Sequence, residues 1–165
     1  LEYYIFKLYH SIGIASPHQL DVFAIATLLG VEISYRKSIF RFGNEIILNK
    51  NNSLSEQWMD FGHELCHVLR HRGCQLSMNP LYVELQEWKA DNFMYHFCVP
   101  TFMLENLKLP PTRNETIGLI AKEFNVSHDF AEVRLDKWIS QREGIKFQQM
   151  FSRLLTRDTA IFSRR

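Results

Sequence analysis

The spacing of apolar positions changes twice along the chain. Residues 1–12 read as a short apolar helix. Ser16-Pro17-His18-Gln19 then offers an N-cap, a first-turn proline and a capping-box glutamine for a second helix, along which Leu20, Phe23/Ala24 and Leu28 recur at helical spacing until Gly30. From Val31 the period falls to two. This predicts strands over 31–35, 39–42 and 45–48, the last two joined through Gly43-Asn44 as a tight hairpin.

After the polar turn 49–52 the helical period returns. Ser53-x-x-Glu56 forms a capping box, Trp58, Phe61, Leu65 and Val68/Leu69 make a stripe to be buried, and Gly73 follows a basic last turn as a stop. Asn79-Pro80 starts another helix, predicted to run to about Cys98 before Pro100, with Leu81, Leu85, Trp88 and Phe93 as its apolar positions. Beyond Pro110-Pro111, helices over 114–124 and 128–140 flank the turn Asn125-Val126-Ser127. The pattern predicts one α+β domain over 1–140: a small three-stranded sheet packed on a helix pair, with a helical part at 114–140. Residues 141–165 are left as a basic C-terminal tail.

Composition narrows the functional classes. A 165-residue chain that is 46% hydrophobic, with 13 Phe, can fill a real core. A formal charge of +1 gives no electrostatic case for nucleic acid or membrane as the main partner. Cys66, Cys74 and Cys98 lack CxxC spacing and leave one over in any pairing, which suits a reducing compartment. No apolar run approaches the length of a membrane span, and LEYYIFKLYH lacks the order of a signal peptide, so the expected location is cytoplasmic.

The chemistry lies in His63-Glu64-Leu65-Cys66-His67. Histidines four residues apart on one helix face reach a single metal ion, and a carboxylate beside the first can act on water that the metal activates. With 7 His and 12 Glu in 165 residues, His-Glu-x-x-His arises by chance in roughly 1 of 50 such chains, so its neighbours must decide. They favour a site: Asp60, Glu64, His67 and His71 all fall off the apolar stripe.

A catalytic zinc needs a third protein ligand and an open position. His71 continues the i+4 series but lies about 12 Å along the axis from His63, too far to share one ion. Cys66 points to a different side and reads as a small buried hydrophobe. On the next helix, Glu87 and Asp91 lie one turn apart opposite Trp88, so Glu87 can bind the metal while Asp91 accepts the outer N–H of a ligating histidine. Glu84 is the alternative ligand. Tyr82, Tyr95 and His96 are possible oxyanion donors, and spacing does not choose among them.

HELCHVLRH followed by EWKADNFMYHFCVP resembles the ImmA/IrrE family of metallopeptidases, with HELGH-like and ExxADxFAxxLLMP-like segments at about this distance. LLGVEISY upstream and IAKEFNVSHDFAEVRL downstream extend the resemblance over most of residues 15–140. It implies a zincin-like domain with Zn2+ held by His63, His67 and Glu87, Asp91 in support, and Glu64 as general base. It also implies an endopeptidase that cuts a helix-turn-helix repressor and so releases phage, mobile-element or stress genes. Cys66 replaces the family's usual Gly, and Phe97-Cys98-Val99 its Leu-Leu-Met; the first is expected to make the site sensitive to oxidation.

The competing class is a regulatory module that binds DNA or protein around a structural metal. Residues 120–135 have a helix-turn-helix look, with Ser127 as cap of the second helix. Charge argues against DNA: from Ser127 to Ser140, Asp129, Glu132 and Asp136 face only Arg134 and Lys137. The expectation is a helical hairpin that packs the domain.

Overall fold

Capping and turn chemistry set most element boundaries. The computed structural model describes residues 1–37, 40–71 and 78–162, apart from the side chains of 40–42 and 151–162. α1 (Glu2–Ser11) buries Ile5 and Tyr9. The box at Ser16 forms, with Gln19 Oε1 accepting the Ser16 N–H at 3.1 Å, but it closes only a 3-10 turn over Pro17–Gln19. Leu20 is extended, and α2 (Val22–Leu29) starts instead at Asp21, whose Oδ1 accepts the Ala24 N–H at 2.8 Å. Gly30, at φ 69°, takes the left-handed turn that ends α2.

β1 (Glu32–Arg36), β2 (Phe40–Phe42) and β3 (Glu45–Asn49) form a sheet in the order β1-β3-β2. β1 runs parallel to β3, pairing Ile33 with Ile46, and β2 runs antiparallel to it, pairing Phe40 with Ile47. Gly43, at φ 60°, makes the hairpin between β2 and β3. Ile46, Ile47 and Leu48 are all buried, as a central strand covered on both faces requires.

Both arms of the Ser53/Glu56 box open α3 (Leu54–Arg70): Ser53 Oγ accepts the Glu56 N–H at 3.3 Å, and Glu56 Oε2 accepts the Ser53 N–H at 2.7 Å. Trp58, Phe61 and Leu65 are buried as expected, and Val68 and Leu69 pack at the edge of the core. α4 (Pro80–Cys98) has Pro80 in its first turn and is capped by Asn79, whose Oδ1 accepts the Leu81 N–H at 3.0 Å.

α4 does not bury the face its apolar spacing indicated. Leu81 and Trp88 are 74% and 64% exposed, Leu85 is also exposed, and of the four only Phe93 lies in the core. The buried face carries Gln86, Ala90, Phe93, Phe97 and Cys98. The reason lies on α3. A Cβ at Gly62 would stand 2.8 Å from Cys98 Sγ and 3.2 Å from Phe97 Cδ1, so the bare backbone there lets α4 close on this face. Phe97 is the centre of the resulting aromatic cluster, with Tyr9 and Trp58 each 5.2 Å away between ring centroids.

Pro100 ends α4, as expected, and leads into a single turn, α5 (Thr101–Leu104). α6 (Arg113–Glu123) and α7 (His128–Phe162) form the expected hairpin across Asn125, at φ 51°, with Ser127 Oγ accepting the Phe130 N–H at 3.2 Å. α7 does not stop at 140. Residues 141–162 contain no proline and one glycine, Gly144, which costs about 1 kcal/mol against alanine, so the helix continues to Phe162 where a tail was expected. The expected strand start at Ile39, the stop at Gly73 and the third cysteine, Cys74, lie outside the described residues. Among the described residues no helix is long and apolar enough to cross a membrane.

Candidate metal centre

α3 presents His63 and His67 one turn apart, and α4 crosses above them with Glu87 and Asp91. His63 Nε2 lies 3.1 Å from His67 Nε2 and 3.1 Å from Glu87 Oε2, while Glu87 Oε1 lies 3.5 Å from His67 Nε2. These three side chains are the one metal-competent cluster among the described residues. Donor atoms about 2.0–2.1 Å from a tetrahedral ion stand about 3.4 Å from one another. The observed separations lie on either side of that value, so the donor set fits a small divalent metal without rearrangement.

Asp91 Oδ1 lies 2.9 Å from His63 Nδ1. A carboxylate there takes the Nδ1–H and leaves the Nε2 lone pair for a metal. The opening of the site is one-sided: the His67 side chain is 4% exposed, whereas Glu87 is 41% exposed. Glu64 is half-buried on α3 between the two histidines in sequence. Glu84, the alternative ligand, is exposed and outside the cluster.

Cys66 is buried, as a small hydrophobe would be, with Sγ 3.9 Å from Lys89 O. Desolvation pushes its thiol up to about 12, which removes the reactive thiolate behind the expected oxidation sensitivity. Two of the three oxyanion candidates pack against other groups. Tyr95 lies tilted against Phe130, with centroids 4.5 Å apart, and the Lys137 ammonium stands over its ring. His96 is buried beside Glu2, its Nδ1 3.8 Å from Glu2 Oε1. Tyr82 is 55% exposed.

Sequence spacing missed two contributors. Gly62 precedes the first histidine and sets how closely α4 approaches; a glycine inside a helical stripe was its only signal. His71 was set aside as too distant to be a ligand, yet its Nδ1 lies 2.9 Å from His67 Nδ1, with ring centroids 4.8 Å apart. One helical turn back from the metal-facing atoms is the wrong place for a ligand and the right place for a ligand's neighbour.

Residues 18–136 match the family model described as the IrrE N-terminal-like domain, Peptidase_M78. The chain belongs to the ImmA/IrrE family. Similarity to individual proteins runs over nearly the whole chain. The phage-like element PBSX protein XkdA of Bacillus subtilis (strain 168) is 44% identical over 161 residues, covering 94% of this chain and 81% of XkdA. The uncharacterized protein YqaB of the same organism is 35% identical over 162 residues, covering 94% of this chain and 91% of YqaB. No solved structure matches. Membership in a peptidase family of this kind supports a metallopeptidase-type function on a protein substrate, and the His63, His67 and Glu87 cluster fits its metal cofactor.

Proposed function

We propose that this ImmA/IrrE protein is a zinc-dependent endopeptidase that cleaves a helix-turn-helix repressor and so releases phage or mobile-element genes. The observation that carries the reading is the convergence of two imidazole nitrogens and one carboxylate, 3.1 to 3.5 Å apart, on a helix that also bears Glu64. His63, His67 and Glu87 would hold the zinc, with Asp91 orienting His63, and zinc there would lower the pKa of a water towards neutrality and polarise a scissile carbonyl. Glu64 takes the attacking water's proton on its carboxylate and delivers it to the leaving amine. The exposed side of Glu87 leaves room for the substrate, whose backbone can lie along the β2 edge of the sheet.

The repressor assignment draws on the family and on the phage-like element named in its relative XkdA. Residues 1–140 act as one zincin-like domain, with 114–140 as packing rather than DNA-reading helices and 141–165 as a C-terminal extension. Burial supports this. Arg134, one of only two cations on the supposed reading helix, is fully buried, its Nε donating to Val99 O at 3.0 Å and its Nη2 to Thr101 Oγ1 at 2.7 Å. Arg113 of α6 pairs with Glu132 and Asp136 on the exposed side of α7, leaving an acidic rather than basic surface. The cytoplasm is the compartment where such a repressor is met, and a reducing one suits the free, buried Cys66 and Cys98.

The test is co-expression with a helix-turn-helix repressor, using Glu64→Gln as control, followed by mass analysis. One cut in the repressor, absent with Glu64→Gln, and little loss of denatured casein are expected. Broad casein degradation would reassign the chain as a general peptidase. An uncut repressor with zinc bound and the inducing signal present would make it a binding scaffold.

A further inference from the structure

We propose that His71 is a positioning residue for the metal centre: its Nδ1 accepts the Nδ1–H of His67 and fixes that ring with Nε2 turned towards Glu87 and His63. The inference rests on the metal centre proposed above and extends it by a residue that is too far from the ion to bind it.

Proton counting supplies the first step. A neutral imidazole that gives its Nε2 lone pair to a metal must carry its proton on Nδ1, so each histidine ligand needs an acceptor behind it. For His63 that acceptor is Asp91 Oδ1, at 2.9 Å. For His67 the atom at the equivalent place is His71 Nδ1, also at 2.9 Å. With the His67 proton on Nδ1, His71 Nδ1 must be the lone pair and His71 Nε2 the protonated nitrogen. Burial makes the contact matter: the His67 side chain is 4% exposed, so water has little access to replace a lost acceptor.

The backbone explains how a residue four positions on can serve. α3 ends at Arg70, and His71 is its C-cap, extended at φ −108° and ψ 130°, with its N–H still donating to His67 O at 3.2 Å. Main chain and side chain of His71 therefore both engage His67. The ring planes cross at 64° with centroids 4.8 Å apart, so the rings are not stacked and the two nitrogens lie between them.

The test compares zinc affinity by chelator competition in the whole chain carrying His71→Phe or His71→Asn. Asn Oδ1 is separated from Cα by the same number of bonds as His Nδ1 and is a neutral acceptor, whereas Phe keeps the ring and removes the acceptor. His71→Phe should weaken zinc binding about 10- to 100-fold, and His71→Asn should stay within about 3-fold of wild type. Nitrogen-15 spectra of the zinc-loaded protein supply a second readout: the His67 Nδ1–H proton should be protected from exchange in wild type and His71→Asn and lost in His71→Phe. Equal zinc affinity in wild type and His71→Phe, with wild type loaded, overturns the role of His71 alone. Absence of zinc binding in wild type overturns the metal centre with it. If His71→Phe folds poorly, His71→Leu replaces it, and an Asn variant as weak as Leu also counts against the proposal.

Discussion

At the scale of single residues, the proposed mechanism separates binding from proton transfer. Glu64→Gln keeps the shape and removes the base, so the zinc content should stay at the wild-type level while the cleavage rate falls about 10²- to 10⁴-fold; a stopped assay on the repressor with metal analysis of the same sample checks both. Near-normal cleavage would take Glu64 out of the mechanism. Asp91→Ala should act differently. Without the carboxylate 2.9 Å from His63 Nδ1, the ligand loses its orientation, and zinc affinity should drop about 10-fold or more with the fold intact. The placing of Asp91 against His63 was legible in the sequence because helical spacing fixes which side chains share a face. His71 was not, because its role depends on a rotamer and on the end of α3, and neither is encoded in spacing alone.

At the scale of elements, the site depends on how closely α3 and α4 approach. Gly62→Ala gains about 1 kcal/mol of helix propensity but drives a methyl to 2.8 Å from Cys98 Sγ in a filled core, an overpacking cost of about 1–3 kcal/mol. We expect net destabilisation and weaker metal binding together, because the same displacement carries Glu87 away from His63; urea unfolding with and without zinc checks both. A paired substitution tests the corrected face of α4. Phe93→Ala should cost about 3–5 kcal/mol, whereas Trp88→Ala, at a position 64% exposed, should change stability by about 0.5 kcal/mol or less. The boundaries of α4 were readable from Asn79-Pro80 and Pro100, since caps and prolines act locally. Its buried face was not, since Phe97 and Cys98 close on α3 through the gap at Gly62. The 3-10 turn at Pro17 has the same lesson: the Ser16 box is real, but Asp21 is the better start for the helix that follows.

At the scale of the whole molecule, a partly buried polar knot joins α4 to α1, α5 and α7. Arg134 of α7 bonds to Thr101 Oγ1, Thr101 donates to Glu2 Oε1 of α1 at 2.6 Å, and His96 of α4 lies beside Glu2. Burial, helped by the Arg134 and Lys137 charges, pushes His96 down to about 3. An unfolded histidine protonates near pH 6.5, so below that value the unfolded chain takes a proton that the folded one refuses. The His96 contribution is therefore fully present above about pH 6.5 and is lost as pH falls towards about 3, at up to about 1.4 kcal/mol per pH unit. Urea midpoints of the chelated protein between pH 7 and 4.5 should fall with this slope and flatten in His96→Gln; an unchanged slope would remove His96 as the cause. The same packing hides Arg134, which the charge count over Ser127 to Ser140 had included among the two cations of that helix. The proposed function stands on α3 and α4 building one metal centre between them, and zinc content of the purified chain tests this most directly. It predicts about one zinc per chain in wild type and almost none in His67→Ala or Glu87→Ala, each still folded. Full zinc occupancy in both variants would contradict it.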